Sequence, residues 1–148
     1  MKISVLTFIA MLALASVGCN TKGEPADFMN ACDTSKDGKT LEVTGFLEPR
    51  STILCSNTGG RMECPFEFSE SIGSDKKMTA DIALGSGSNA VDEIPKGFKK
   101  EDLKVRDNSG SQIALGSDKL RLTGKMLVAP AAPGGSGVCL MQVYKIER

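Results

Sequence analysis

Five cysteines carry most of the reactive chemistry in this 148-residue chain, which has no histidine and no tryptophan. Without histidine, no Ser-His or Cys-His nucleophile pair and no imidazole metal ligand can form. Cys19 stands apart, directly after the small residues Ser16-Val17-Gly18 at the end of an apolar run. Cys32, Cys55, Cys64 and Cys139 remain. If the chain is exported, four cysteines suggest two disulfides, with three connectivities open. Residues 52–57 and 61–66 flank Thr58-Gly59-Gly60-Arg61, a hairpin signal. If Gly59-Gly60 form a two-residue loop, 58:61 is a hydrogen-bonded pair and the pairs then alternate. Cys55 thus faces Cys64 at a non-hydrogen-bonded site, where side chains lie closest. That leaves Cys32 for Cys139, tying the N-terminal segment to the last strand. No C-x-x-C pair supports zinc.

The other chemical candidates read as scaffolding. Asp33-x-Ser35-x-Asp37-Gly38 has the alternate oxygens of a calcium loop, but the twelfth position, which needs a bidentate Glu, is Thr44. A polar turn is expected instead. Ser74-x-x-Lys77 has the spacing of a Ser/Lys nucleophile pair, yet it lacks the apolar cover that would desolvate the lysine. Lys96-Gly97-Phe98-Lys99-Lys100 could contact phosphate and stack a base, but Glu101-Asp102 cancel its charge. Gly85-Ser86-Gly87 and Gly134-Gly135-Ser136-Gly137 lack the Lys-Ser/Thr ending of a phosphate loop. No pair of carboxylates stands out. The reading is therefore of a non-enzyme, with no catalytic residue, no metal and no cofactor.

Targeting is the clearest signal. Met1-Lys2 is a short positive region, and Ile3 to Val17 is almost unbroken apolar sequence. That run is shorter than the roughly 20 residues a spanning helix needs, so it reads as a cleaved export signal. The segment resembles a bacterial lipoprotein signal, whose small-residue box ends in a cysteine. The resemblance implies that residues 1–18 are removed and that Cys19 carries acyl chains such as palmitate, with 19–25 as a lipidated tether. Two or more chains hold a protein on a bilayer. Asn20, where an Asp would retain the protein at the inner membrane, implies outer-membrane sorting and a periplasmic face. Residues 1–18 hold Lys2 as their one charge, so 17 basic residues remain against 18 acidic ones. No global field then favours a polyanion, and nucleic acid is not an expected partner.

The elements that hold these residues are strands. Leu41-Glu42-Val43-Thr44-Gly45 and Leu120-Arg121-Leu122-Thr123-Gly124 share one pattern. Each alternates apolar and polar residues and places a glycine where the strand would otherwise continue, which marks a bulge or sharp bend. Pro25 to Cys32 reads as two helical turns with Pro at the first position. Strands are expected at about 39–47, 52–57, 61–69, 78–84, 120–128 and 138–146. Pro65 argues for an edge or bulge within its strand. Residues 90–103 have a rough helical spacing broken by Pro95 and Gly97, and 103–107 with 112–115 flank Asn108-Ser109-Gly110 as a further hairpin.

Residues 38–45, 118–125 and 139–146 are similar to the first, fourth and fifth strands of small oligonucleotide/oligosaccharide-binding (OB) domains. These include the tRNA-anticodon-like OB family found in lipoproteins. The resemblance implies an all-β fold over 26–148, a five-stranded Greek-key barrel with a short N-terminal helix and an irregular insert. The alternatives are a lipocalin-like barrel or a β-sandwich, and the topology across 71–117 stays open. OB barrels bind through their second and third strands and adjoining loops, here Arg50 to Phe68. The expected function is a binding or adaptor module for a small ligand or an envelope protein. The alternative is a structural or assembly lipoprotein, for which an apolar patch near Phe66, Phe68 or Phe98 would speak.

Overall fold

Period-two alternation sets the long strands. The computed structural model describes residues 22–148. Its strands are β1 (Glu24–Pro25), β2 (Thr40–Pro49), β3 (Ser56–Thr58), β4 (Arg61–Ser69), β5 (Lys77–Ala83), β6 (Ala90–Val91), β7 (Val105–Arg106), β8 (Lys119–Ala129) and β9 (Val138–Glu147). Helix is limited to one turn, α1 (Phe28–Ala31), and 3₁₀ turns at Thr34–Lys36 and Lys100–Asp102. Cys19 and residues 1–18, for which a cleaved signal is expected, lie outside the described residues.

Five strands close a barrel in the order β2-β8-β9-β5-β4, because β2 pairs twice. Its first half, Thr40 to Phe46, pairs with β8, and Phe46 to Pro49 pairs with β4. Only β5 and β9 run parallel among these five. This is the Greek-key order of an OB-like barrel, and the lipocalin-like and sandwich alternatives fall. The two glycines sit where the sheet bends. Gly45 is the last residue before β2 changes partner, and a Cβ there would collide with the Ser69 carbonyl oxygen. At Gly124 the β8–β9 register shifts, and a Cβ would meet the Gln142 carbonyl oxygen and Met141 Cγ. Inward residues of all five strands form the core, including Leu41, Val43, Phe66, Phe68, Ile82, Leu122, Met141 and Ile146.

The barrel has two ends. At the N-terminal end lie the start of β2, the β4–β5 turn and the β8–β9 loop. Here α1 packs across the opening, with the Phe28 and Phe68 rings 5.8 Å apart, and Cys32 is bonded to Cys139. At the other end the insert between β5 and β8 buries Val91, Leu103, Val105 and Ile113. Cys55 is bonded to Cys64, with Cα atoms 4.1 Å apart. The register is the one counted from the loop: Thr58 opposite Arg61, Asn57 opposite Met62, Ser56 opposite Glu63.

Several expectations need correction. Pro25 does not start a helix: Glu24–Pro25 pair in parallel with Leu41–Glu42, and Gly23 is packed against that backbone. α1 is one turn, not two. Residues 50–55 are irregular, so the second expected strand shrinks to Ser56–Thr58. Residues 90–103 are irregular, as the breaks at Pro95 and Gly97 imply, and Val91 and Leu103 reach the core from extended backbone. The 103–115 hairpin is reduced to a single bridge, Arg106 to Gln112. Pro65 sits in a central strand, opposite Asp81 of β5. On its other side it falls in the gap between the β3 and β2 pairings, so the ladder is open there.

Candidate functional site

The turn residues flagged for chemistry hold the fold. Asp33 Oδ1 accepts from Ser35 N at 2.8 Å, and Asp37 Oδ1 accepts from Val128 N at 2.9 Å. The second bond clasps the N-terminal turn to β8. Ser74 Oγ accepts from Lys76 N, while Lys77 turns to Glu67 at 2.6 Å, so the Ser/Lys pair is not assembled. The Glu67 carboxylate, as hydrogen-bond partner, raises the Lys77 ammonium above its usual value, which disfavours the neutral amine a base would need.

Sequence reading missed a carboxylate pair. Glu63 faces Ala83 and Asp81 faces Pro65, so the two acids are diagonal neighbours on the outer face of β4 and β5. Gln142 lies beside Asp81 on β9 and donates to Glu63 Oε1 at 2.9 Å. Arg61 also donates to Glu63 Oε1. Glu63 is only 2% exposed, and its Oε2 has no hydrogen-bond partner. Burial pushes the Asp81 carboxyl above its ordinary range, the charge of Glu63 adds to this, and Arg50 opposes it. The pairing depends on the β4–β5–β9 register, which adjacent sequence does not contain.

The insert carries a second polar group. Arg106 grips Asp92 with two bonds, Nε to Oδ1 at 2.7 Å and Nη2 to Oδ2 at 2.9 Å. The Arg106 hydrogen bond holds Asp92 below the usual carboxylate range. Asp107 organises the next turn, accepting from Ser109 N, Ser109 Oγ and Ser111 N, and from Arg148. The Ser109 hydroxyl leads these donors in holding Asp107 below its ordinary value. A carboxylate so held is a poor general base, so Ser109–Asp107 is turn scaffolding. Gly85 to Ser88, Asp92, Arg106 and Asn108 to Gly110 border an open polar cavity of about 810 Å³.

The apolar candidate lies beside it. A groove of about 360 Å³ runs between residues 53–55, Met62 and Leu84 on one side and residues 94–98 on the other. Leu54 is 74% exposed and Met62 42%. The expected apolar patch is therefore displaced: Phe66 and Phe68 point into the core and are fully buried, and Phe98 alone of the three lines the groove. Of the Arg50-to-Phe68 surface, residues 53–55 and Met62 supply the groove wall. Arg50 and Glu67 border a separate cleft of about 380 Å³ with Thr79 and residues 137–140. Lys96 lines the groove, and the Lys99–Lys100 stretch turns away, with Lys99 N bound to Asp102.

Compared with known proteins, the chain matches no family model, and no curated protein matches it.

Proposed function

We infer that this chain is a bacterial lipoprotein whose OB-like barrel is a non-enzymatic binding or adaptor module. It is held by acylated Cys19 on the outer membrane and faces the periplasm. The signal segment and its cysteine support the anchor. The groove at the insert end supports the binding role: an exposed apolar strip beside a rigid, disulfide-tied hairpin suits a protein or ligand surface. The exposure of Leu54 is the observation that carries this reading, because the barrel core gains nothing from that side chain. The same exposure fits the second reading, an assembly lipoprotein that docks on a larger envelope complex.

Crosslinking in intact cells, then purification of the acylated protein and mass spectrometry, tests the reading. One protein partner near one-to-one, lost in a Met62→Asp variant, is expected for an adaptor or assembly factor. If no protein is captured, ligand screening on residues 20–148 must find a groove ligand. Failure of both overturns the binding role. Unchanged membrane retention of Cys19→Ala overturns the anchor.

A further inference from the structure

Six large apolar side chains are exposed among the described residues, and they are not scattered. Leu54 and Met62 belong to the groove. Met29, Ile72, Leu127 and Val138, between 44% and 59% exposed, all surround the N-terminal end of the barrel. Four elements bring them there. Met29 is on the outer side of α1, where its sulfur meets Lys76 Nζ at 3.3 Å, beside the β4–β5 turn that carries Ile72. The Cys32–Cys139 bond ties the residue after α1 to the start of β9, next to Val138. Leu127 lies opposite Leu140 on the outer face of β8 and β9. Between them runs Ala129-Pro130-Ala131-Ala132-Pro133-Gly134-Gly135-Ser136-Gly137, exposed throughout. No charged residue occurs between Lys125 and Lys145.

The chain arrives at this same end. Gly23 is fixed against Leu41 and Glu42 at the start of β2. Only Asn20, Thr21 and Lys22 separate it from Cys19. Fully extended, that segment spans at most about 14 Å. An acyl anchor on Cys19 therefore holds this end of the barrel within reach of the bilayer surface, while the groove lies toward the opposite end.

We propose that this rim is a membrane-contact surface: the β8–β9 loop inserts shallowly into the bilayer beside the acyl chains and fixes the barrel with its insert end outward. This rests on the lipid anchor inferred above. The contact is apolar. Lys36, Lys39 and Lys76 near the rim are offset by Glu24, Asp33, Asp37 and Asp75, Lys36 is already paired with Glu24, and Lys76 lies against Met29. Insertion should therefore resist salt, unlike a polybasic contact, which salt screens.

The chain lacks tryptophan, so one introduced indole is a clean reporter. Ala131→Trp and Leu54→Trp proteins, purified from bacterial membranes with acylation at Cys19 checked by mass, are placed in phosphatidylethanolamine/phosphatidylglycerol vesicles with brominated acyl chains. The indole of the Ala131→Trp protein should shift to the blue and lose most of its emission at low and high salt. The indole of the Leu54→Trp protein should keep the emission it has without bromine. Absence of acyl groups on Cys19 overturns the anchor and this proposal with it. An acylated, vesicle-bound protein in which the indole at position 131 is unquenched, or the one at position 54 is quenched instead, overturns this proposal alone.

Discussion

The two ends of the barrel are closed in opposite ways. At the N-terminal end one helical turn packs Phe28 at a tilt against Phe68, and a disulfide joins residues 107 apart in sequence. At the insert end there is no α-helix. Closure there comes from extended backbone that buries Val91, Leu103 and Val105, and from turn chemistry around Asp107, Asn89 and the Asp92–Arg106 pair. Asn89, the one non-glycine described residue with positive φ, donates and accepts across this region and receives Ile146 N at 2.7 Å. The disulfide at this end spans only nine residues and stiffens a hairpin rather than the barrel. One end thus depends on long-range covalent closure and the other on non-covalent polar order that also ties in the end of β9. The end held without a barrel-spanning disulfide is where the open groove and the second cavity lie.

The largest expected difference concerns the disulfides. In the chain-entropy model, opening Cys32–Cys139 costs about 4.8 kcal/mol and opening Cys55–Cys64 about 2.6 kcal/mol. Urea midpoints of the two double Cys→Ala variants test the ranking, and equal losses would break the contrast. Next, Asp107→Ala leaves Ser109 and Ser111 donors and Arg148 without their acceptor and should cost about 1–3 kcal/mol. Hydrogen exchange should localise that loss to the insert and the end of β9, sparing α1.

The pH dependence separates two carboxylates of opposite sign. Asp107 is depressed in the fold, so its contribution is present above the ordinary Asp value and lost as pH falls through the folded value. Asp81 is raised, so the fold gains from its protonated form below the ordinary value, and that gain is lost as pH rises through the folded value. Asp81→Asn should therefore remove a fall in stability on raising pH through that window, while Asp107→Asn removes a fall on lowering it. Thermal melts from pH 7 down to about pH 2 distinguish them, taking about pH 4 as the ordinary carboxylate value. The smallest effect is at the groove: Leu54→Ser should change stability by less than about 0.5 kcal/mol, as exposed positions do, yet weaken partner capture.

Much of the barrel was legible because its signals are local. Alternation marks β2, β4, β5, β8 and β9, glycines mark the bends, and a two-residue loop sets Cys55 against Cys64. The same alternation puts Cys64, Phe66 and Phe68 on one face, and that face is the core, which is why an apolar patch expected at those phenylalanines lies elsewhere. The insert is irregular, as Pro95 and Gly97 imply, but the broken helical spacing of Val91, Ile94, Phe98 and Leu103 does not say where they pack. Their burial is set by where the loop crosses the barrel mouth. The Glu63–Asp81–Gln142 cluster was illegible for another reason: three strands meet there, and neither distance in sequence nor residue type predicts their register.

The division of labour between the two ends has a direct test. A photo-crosslinking residue is placed at position 54 or at position 131 of the full-length protein in living cells. Position 131 should capture lipid, and position 54 should capture a protein partner or a groove ligand but no lipid. Lipid captured at position 54, or protein alone at position 131, would contradict the orientation on which this account depends.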